Sequence, residues 1–344
     1  MNTTYSFYKI PVILRKLFYI LAIYFFLQTS LNALENKIET ADQLKKLFNS
    51  VVQVESHIPP EARTAEALGT QRKGSGVIID NNHILTIGYI VVEAENINIT
   101  LSNGKKIPGE LAGYDSTTGF GILKTAIPVK LDPLEFGDSD KLTKDEMLFI
   151  IPHLNEGKPS AANMVSRRPF VGWWEYFLDK PIYTFPMNHS WAGAPLINQY
   201  GKILGIGSLY VTEAYTKGML SPGNLFIPIN DLKPIFEDLI QNGRRTKDIK
   251  PYMGLTSQEN SGKISVTRVS ENGPAEKAGI MEKDIILSIN NKKITDMEDF
   301  YKTVWSMGGP GTKLNFEIER SQKKINLEII TMDRNDFYIK PKYY

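Results

Sequence analysis

The chain has no cysteine. That excludes disulfide bonds, a thiol nucleophile and any metal site built on thiolates. Histidine is scarce: His57, His83, His153 and His189 are the only four. They are scattered, and none has the spacing of a zinc site, so no metal is expected. No cofactor motif stands out. The formal net charge is only +2, with 40 basic against 38 acidic residues. So weak a balance gives no basis for nucleic-acid binding. No internal repeat or low-complexity stretch breaks the pattern. What remains is the profile of a globular chain, 42% apolar and 23% charged, and its 344 residues leave room for two domains.

The N-terminus has its own signature. Lys9, Arg15 and Lys16 form a basic region, Leu17 to Leu27 an apolar run, and Ser30-Leu31-Asn32-Ala33 a possible cleavage site. This is the pattern of a signal peptide over residues 1–34. The alternative is an uncleaved anchor, since no charge occurs between Lys16 and Glu35, close to the minimum for a spanning helix. Either reading places the folded part in the periplasm or on the outer face of the cytoplasmic membrane. The membrane is touched only through this segment, if it stays uncleaved.

Further on, residues 41–52 read as an amphipathic helix entering a strand, with Leu44, Leu47 and Phe48 on one side. Residues 58–72, with Pro59-Pro60, read as a loop. From Gly74 to Pro228 short β-branched runs are broken by Gly, Asn and Asp, which suits a double antiparallel barrel. Residues 229–242 read as a helix stopping at Gly243, and 244–250 as a short basic linker. The aromatic-dense segment from Phe170 to Lys180 reads as core, or else as a cover over a cleft or a subunit contact.

Three stretches carry a resemblance. The first is Gly74-Ser75-Gly76, a strand, then Ile84-Leu85-Thr86 and Tyr89-Ile90-Val91. The second is Asp115 with Gly119 four residues on, before Phe120-Gly121-Ile122-Leu123. The third runs Asn188-His189-Ser190-Trp191-Ala192-Gly193-Ala194-Pro195-Leu196. Together they resemble the HtrA (DegP-like) family, trypsin-fold proteases joined to PDZ domains. The resemblance spans about residues 41–330. It implies a mainly β fold, a trypsin-like double β-barrel over 35–245, a PDZ domain over 250–332 and a tail over 333–344. It also places the catalytic His, Asp and Ser of the family on Tyr89, Gly119 and Ala192.

Those three residues lack the chemistry. Ala192 has no atom that attacks a carbonyl, a tyrosine phenol is a poor base near neutral pH, and Gly119 has nothing with which to orient a base. Trp191 or Tyr89 is expected to fill the space of the cleft. His189 and Ser190 are neighbours on an extended segment and should face opposite ways, so they do not offer a substitute pair. His83 is expected in a surface turn.

The second domain is marked by Tyr252-Met253-Gly254-Leu255, Pro274-Ala275-Glu276-Lys277-Ala278-Gly279 and Asp284-Ile285-Ile286-Leu287-Ser288-Ile289-Asn290, which resemble a PDZ domain of the same family. A turn of that kind presents N–H groups to a peptide's terminal carboxylate, and the following strand pairs with the peptide. Tyr252, Met253, Gly254 and Leu255 are thus the candidate peptide-binding residues, with Phe300 and Val304 as the opposite wall or as core. The expected partners are protein or peptide C-termini. The family resemblance also implies a homo-oligomer, a trimer. The function expected is an exported, non-catalytic peptide-binding protein of envelope quality control. The alternatives are an active serine endopeptidase of the HtrA type and a structural subunit of an envelope complex.

Overall fold

The computed structural model describes residues 37, 41–144 and 146–339. The signal-like segment and the end from Lys340 to Tyr344 lie outside the described residues.

Helix α1, Ala41–Asn49, leads into strand β1, Val51–His57. Leu47 is buried, whereas Leu44 is more than a third exposed. The apolar stripe is therefore narrower than the sequence suggests. Strands β2 (Gln71–Ile78), β3 (His83–Ile87), β4 (Asn96–Thr100), β5 (Lys106–Tyr114) and β6 (Phe120–Thr125) close a barrel with β1 in the order β1-β2-β3-β6-β5-β4. The expected loop at 58–72 contains a helical turn at Ala65–Leu68 and already enters β2 at Gln71. His83 is not a free surface histidine. Its Nδ1 sits 2.8 Å from an Asp80 carboxylate oxygen, and the side chain is only 16% exposed.

The second barrel uses β7 (Leu148–Ile150), β8 (Ser160–Ser166), β11 (Ile182–Phe185), β12 (Pro195–Asn198), β13 (Ile203–Val211) and β14 (Gly223–Pro228). Their closed order is β11-β14-β13-β12-β7-β8. Its core includes Leu148, Ile150, Ile182, Leu196 and Phe226, all with zero exposure. Between β8 and β11 a separate hairpin stands off the barrel, formed by β9 (Phe170–Gly172) and β10 (Tyr176–Leu178). After β14 the expected helix opens as two 3₁₀ turns, Ile229–Asp231 and Lys233–Ile235. It becomes α-helical only as α2, Phe236–Asn242. Pro234 has no N–H for the regular ladder, which accounts for the late start.

The C-terminal domain is a sheet ordered β15-β16-β17-β19-β20. The strands are β15 (Leu255–Asn260), β16 (Lys263–Val269), β17 (Ile285–Ile289), β19 (Lys313–Arg320) and β20 (Lys323–Ile330), with β18 (Lys292–Lys293) paired to β17. Helix α3, Met297–Ser306, packs on it. Asp296 caps α3 by accepting from the Asp299 N–H at 2.8 Å. Replacing Asp296 by Ala is expected to cost about 1 kcal/mol, read as a lowered urea midpoint. The described part of the segment after 333 packs on both domains. Helix α4, Arg334–Phe337, lays Phe337 against Tyr252, with ring centroids 5.3 Å apart, and the Ile339 N–H donates to a Glu93 carboxylate oxygen at 2.8 Å.

Candidate functional site

The segments that carry Tyr89, Gly119 and Ala192, the positions the resemblance singles out, adjoin one another. Tyr89 follows β3 at a helical turn, and its neighbour Gly88 donates its N–H to the Gly119 carbonyl at 2.7 Å. Across the cleft, the Trp191 side chain lies close enough to the Tyr89 hydroxyl to act on its ionisation. The carbonyl of Ala192, next in sequence, accepts from the Ser75 N–H at 2.8 Å. Burial pushes the Tyr89 phenol well above its ordinary range, against the opposing indole donor. It is thus an even poorer base than a free tyrosine. Tyr89 and Trp191 thus approach each other from facing segments. Trp191 also packs against Tyr210, with ring centroids 6.0 Å apart.

A third aromatic, which sequence reasoning missed, completes the filling. Gly119 has φ +89°, and a Cβ there would lie 3.1 Å from the Tyr176 hydroxyl. Tyr176, at the start of β10, therefore occupies the space into which a side chain at 119 would grow. Its hydroxyl donates to the Thr118 carbonyl. Trp174 stacks on it at 5.6 Å with ring planes 13° apart.

The donors of an oxyanion hole are the N–H of the nucleophile and the N–H two residues before it. The second of these is the Ser190 N–H here, and it donates to the Asn188 side-chain oxygen at 2.8 Å. Asn188 is held by a buried clasp. Its N–H donates to Asn224 Oδ1 at 2.7 Å, and Asn224 Nδ2 donates to the Asn188 carbonyl at 3.1 Å. The Ser190 hydroxyl donates to the Glu156 carbonyl at 2.6 Å, which ties it to the 153–157 loop. Asp115, four residues before Gly119, is buried and accepts from Arg245 Nε at 3.0 Å and Nη2 at 2.9 Å.

The second candidate site is the turn before β15. Gly254 has φ +79°, a left-handed conformation that glycine adopts at no steric cost. That bend turns consecutive backbone N–H groups to one side, the arrangement that holds anions. The turn is already filled. Glu175, in the tip of the β9–β10 hairpin, accepts from the Met253 N–H at 2.8 Å, the Gly254 N–H at 2.7 Å and the Leu255 N–H at 2.8 Å. The Ser257 N–H of β15 donates to the Trp173 carbonyl at 3.0 Å. Tyr301 of α3 clasps the same tip: its hydroxyl donates to the Gly172 carbonyl and accepts from the Glu175 N–H, both at 3.1 Å. Beneath, Arg334 Nη1 donates to the Glu175 carbonyl at 3.2 Å. Burial pushes the Glu175 carboxyl up to about 7, while Arg334 and the three N–H donors pull the other way.

Of the two readings open for Phe300 and Val304, wall or core, their burial agrees with the second. Phe300 and Val304 have zero exposure and belong to the domain's core cluster, together with Met253, Leu255 and Phe177. They lie under the groove, because the i, i+4 stripe that they share is the inward face of α3. Tyr301, Lys302 and Trp305 of α3 also contact the hairpin, Trp305 through Phe177 at 5.7 Å between centroids and Lys302 with its ammonium 5.6 Å from the same ring. The aromatic segment itself divides: Tyr176, Phe177 and Leu178 are buried, whereas Trp173 is 56% exposed. One feature could have drawn attention to Glu175. It is the single charged residue between Phe170 and Leu178. Among the described residues no cluster of His, Asp or Glu is arranged to hold a metal.

Comparison with known proteins agrees with this architecture. Residues 74–206 match the model of the trypsin-like peptidase domain, and residues 251–331 that of the PDZ domain. The chain is 30% identical to Serine protease Do-like HtrB of Bacillus subtilis over 72% of its length and 60% of that protein. It is 28% identical to a probable periplasmic serine endoprotease DegP-like of Pseudomonas fulva, over 82% of its length and 61% of that protein. The chain thus spans about three fifths of these relatives. Among solved structures, it is similar to a serine endoprotease from Yersinia pestis, with a TM-score of 0.51 at 24% identity, covering 86% of this chain and 99% of that one. It is likewise similar to the HtrA-type protease AlgW with decapeptide, with a TM-score of 0.52 at 19% identity, covering 89% and 100%.

Proposed function

We propose that this chain, HtrA/DegP-like in architecture with a trypsin-fold peptidase domain before a PDZ domain, is a non-catalytic binder of protein C-termini in the cell envelope. The observation that carries the proposal is the Tyr176 hydroxyl beside Gly119. The position of the orienting acid lacks its side chain, and its space is taken by a phenol from a different part of the chain. Ala192 supplies no nucleophile, and the Ser190 N–H is engaged by Asn188. The barrel then serves as a scaffold, and the PDZ domain does the binding through strand addition and carboxylate capture at residues 252–255. That a solved relative is described with a decapeptide supports this class of ligand. The names of relatives as periplasmic support an envelope location. No helix among the described residues is long and apolar enough to cross a membrane.

The relatives' names as serine proteases favour a second reading, a working endopeptidase. A fluorophosphonate probe and casein separate the two. The purified chain is expected to take no label and to leave casein intact. Labelling or cleavage that Ser190→Ala abolishes overturns the proposal and moves the nucleophile to Ser190.

A further inference from the structure

The β9–β10 hairpin does in the PDZ groove what a bound peptide end does. A peptide seated in such a groove makes three kinds of contact. Its terminal carboxylate enters the N–H turn. Its backbone pairs with the strand that follows. Its last side chain enters an apolar pocket. Each has a counterpart within this chain. The carboxylate is that of Glu175, on the N–H groups of Met253, Gly254 and Leu255. The strand contact is the Ser257 N–H on the Trp173 carbonyl. The apolar group is Phe177, 8% exposed and part of the cluster that holds Leu255, Phe300 and Val304, with Val171 packed against it.

Two features argue that the mimicry is specific rather than a by-product of packing. Glu175 lies at φ +58°, in a left-handed conformation that a glutamate enters only when its surroundings impose it. Glu175 is also buried, at 7% exposure, and burying a carboxyl is costly unless its hydrogen bonds are made. Here they are made by the turn that the PDZ domain keeps for a ligand. Beyond the hairpin the groove continues as an open cleft of about 1240 Å³, lined in part by Gln258 and Glu259 of β15 and by Met297 and Lys302 of α3. An incoming chain has room to approach there.

We propose that Glu175 is an internal ligand of the PDZ domain, and that a protein C-terminus ending in a free carboxylate and a hydrophobic side chain binds by displacing it. The inference rests on the peptide-binding reading above. Its consequence is that the groove is closed in the resting chain, so the observed affinity is the intrinsic affinity multiplied by the small fraction of molecules in which the hairpin has left. Because Tyr176 adjoins Glu175, the same departure draws its phenol away from Gly119. Occupation of the PDZ groove and the filling of the cleft in the barrel are thus tied to one hairpin.

The test compares the wild-type chain with Glu175→Ala, both at full length. The probe is a labelled octapeptide ending in Ala-Val-Leu, as free acid and as C-terminal amide, followed by fluorescence anisotropy. Removing the internal carboxylate is expected to tighten binding of the free acid by about ten-fold or more, with little change for the amide. Equal binding of the free acid by both proteins, still tighter than the amide, overturns the internal-ligand proposal and leaves the PDZ domain as a carboxylate reader. If neither protein prefers the free acid to the amide, the peptide-binding reading falls as well. Should Glu175→Ala fail to fold, Glu175→Gln takes its place. The amide keeps the size of the side chain but points an N–H₂ at N–H donors, so a gain of several-fold for the free acid is expected, and no gain overturns the proposal. In the wild type alone, the Gly254 and Leu255 amides should exchange slowly with deuterium. Rapid exchange there in the folded protein also counts against it.

Discussion

Restoring the triad residues in one chain, Tyr89→His with Gly119→Asp and Ala192→Ser, is expected to leave casein uncut. The missing groups together account for a rate factor of about 10⁶ in serine proteases, but their identities are only part of what is missing here. Residue 119 sits at φ +89°. An aspartate enters that region with some strain, and its Cβ would come within 3.1 Å of the Tyr176 hydroxyl. That hydroxyl is held by the Thr118 carbonyl, so the new carboxyl has no clear path to an imidazole at position 89. The oxyanion donor at Ser190 stays bonded to Asn188. Adding Tyr176→Ala to the triple variant opens the space and is the change expected to permit the first measurable turnover, seen as fluorophosphonate labelling of the introduced serine before any cleavage. Cleavage by the triple variant alone, silenced by the same probe, would show that Tyr176 does not hold the site closed.

Removing the Asp115 carboxylate is expected to be the most damaging single change to stability. Asp115 has 1% exposure and accepts from Thr118 Oγ1 at 2.6 Å, the Thr118 N–H at 3.0 Å and two Arg245 nitrogens. Arg245 is itself only 15% exposed in its side chain. Asp115→Ala leaves that guanidinium without its anion in a poorly solvated place, a loss of about 3–5 kcal/mol. Urea unfolding should show a correspondingly lower midpoint with an unchanged slope. A loss under about 1 kcal/mol would place the pair among exposed bridges of little weight.

The fold was legible in the sequence because its signals are local. Glycine turns, β-branched runs and the Pro274 to Gly279 segment each fix backbone over a few residues, and the two barrels and the PDZ sheet follow. The positions the resemblance singles out, Tyr89, Gly119 and Ala192, were equally plain, since they sit in short motifs without insertions. Tyr176 and Glu175 were hidden for the opposite reason. Their partners, Gly119 and Gly254, lie far away along the chain, and no periodicity links a hairpin tip to a turn in another domain. The i, i+4 spacing of Phe300 and Val304 announced an apolar face correctly. It could not say whether that face borders a groove or lies beneath it. In the structure the adjoining Tyr301 makes the polar contacts to the hairpin.

Phe177 belongs to the barrel side of the chain by sequence, yet it is counted among the apolar core of the PDZ domain. Further ties run the same way: Arg63 Nη1 to the Glu271 carbonyl, Arg268 to Glu66, and the Ile339 N–H to Glu93. Two domains that share a core lose it together when either melts. The chain should therefore unfold in a single cooperative step by calorimetry, although its length and its separate barrel and PDZ sheets suggest a pair of transitions. A proteolytic nick in the 246–250 linker should leave the two fragments associated until denaturant is added. For a molecule of this kind the linker is a tether of convenience, and the domain boundary that matters mechanically is the hairpin.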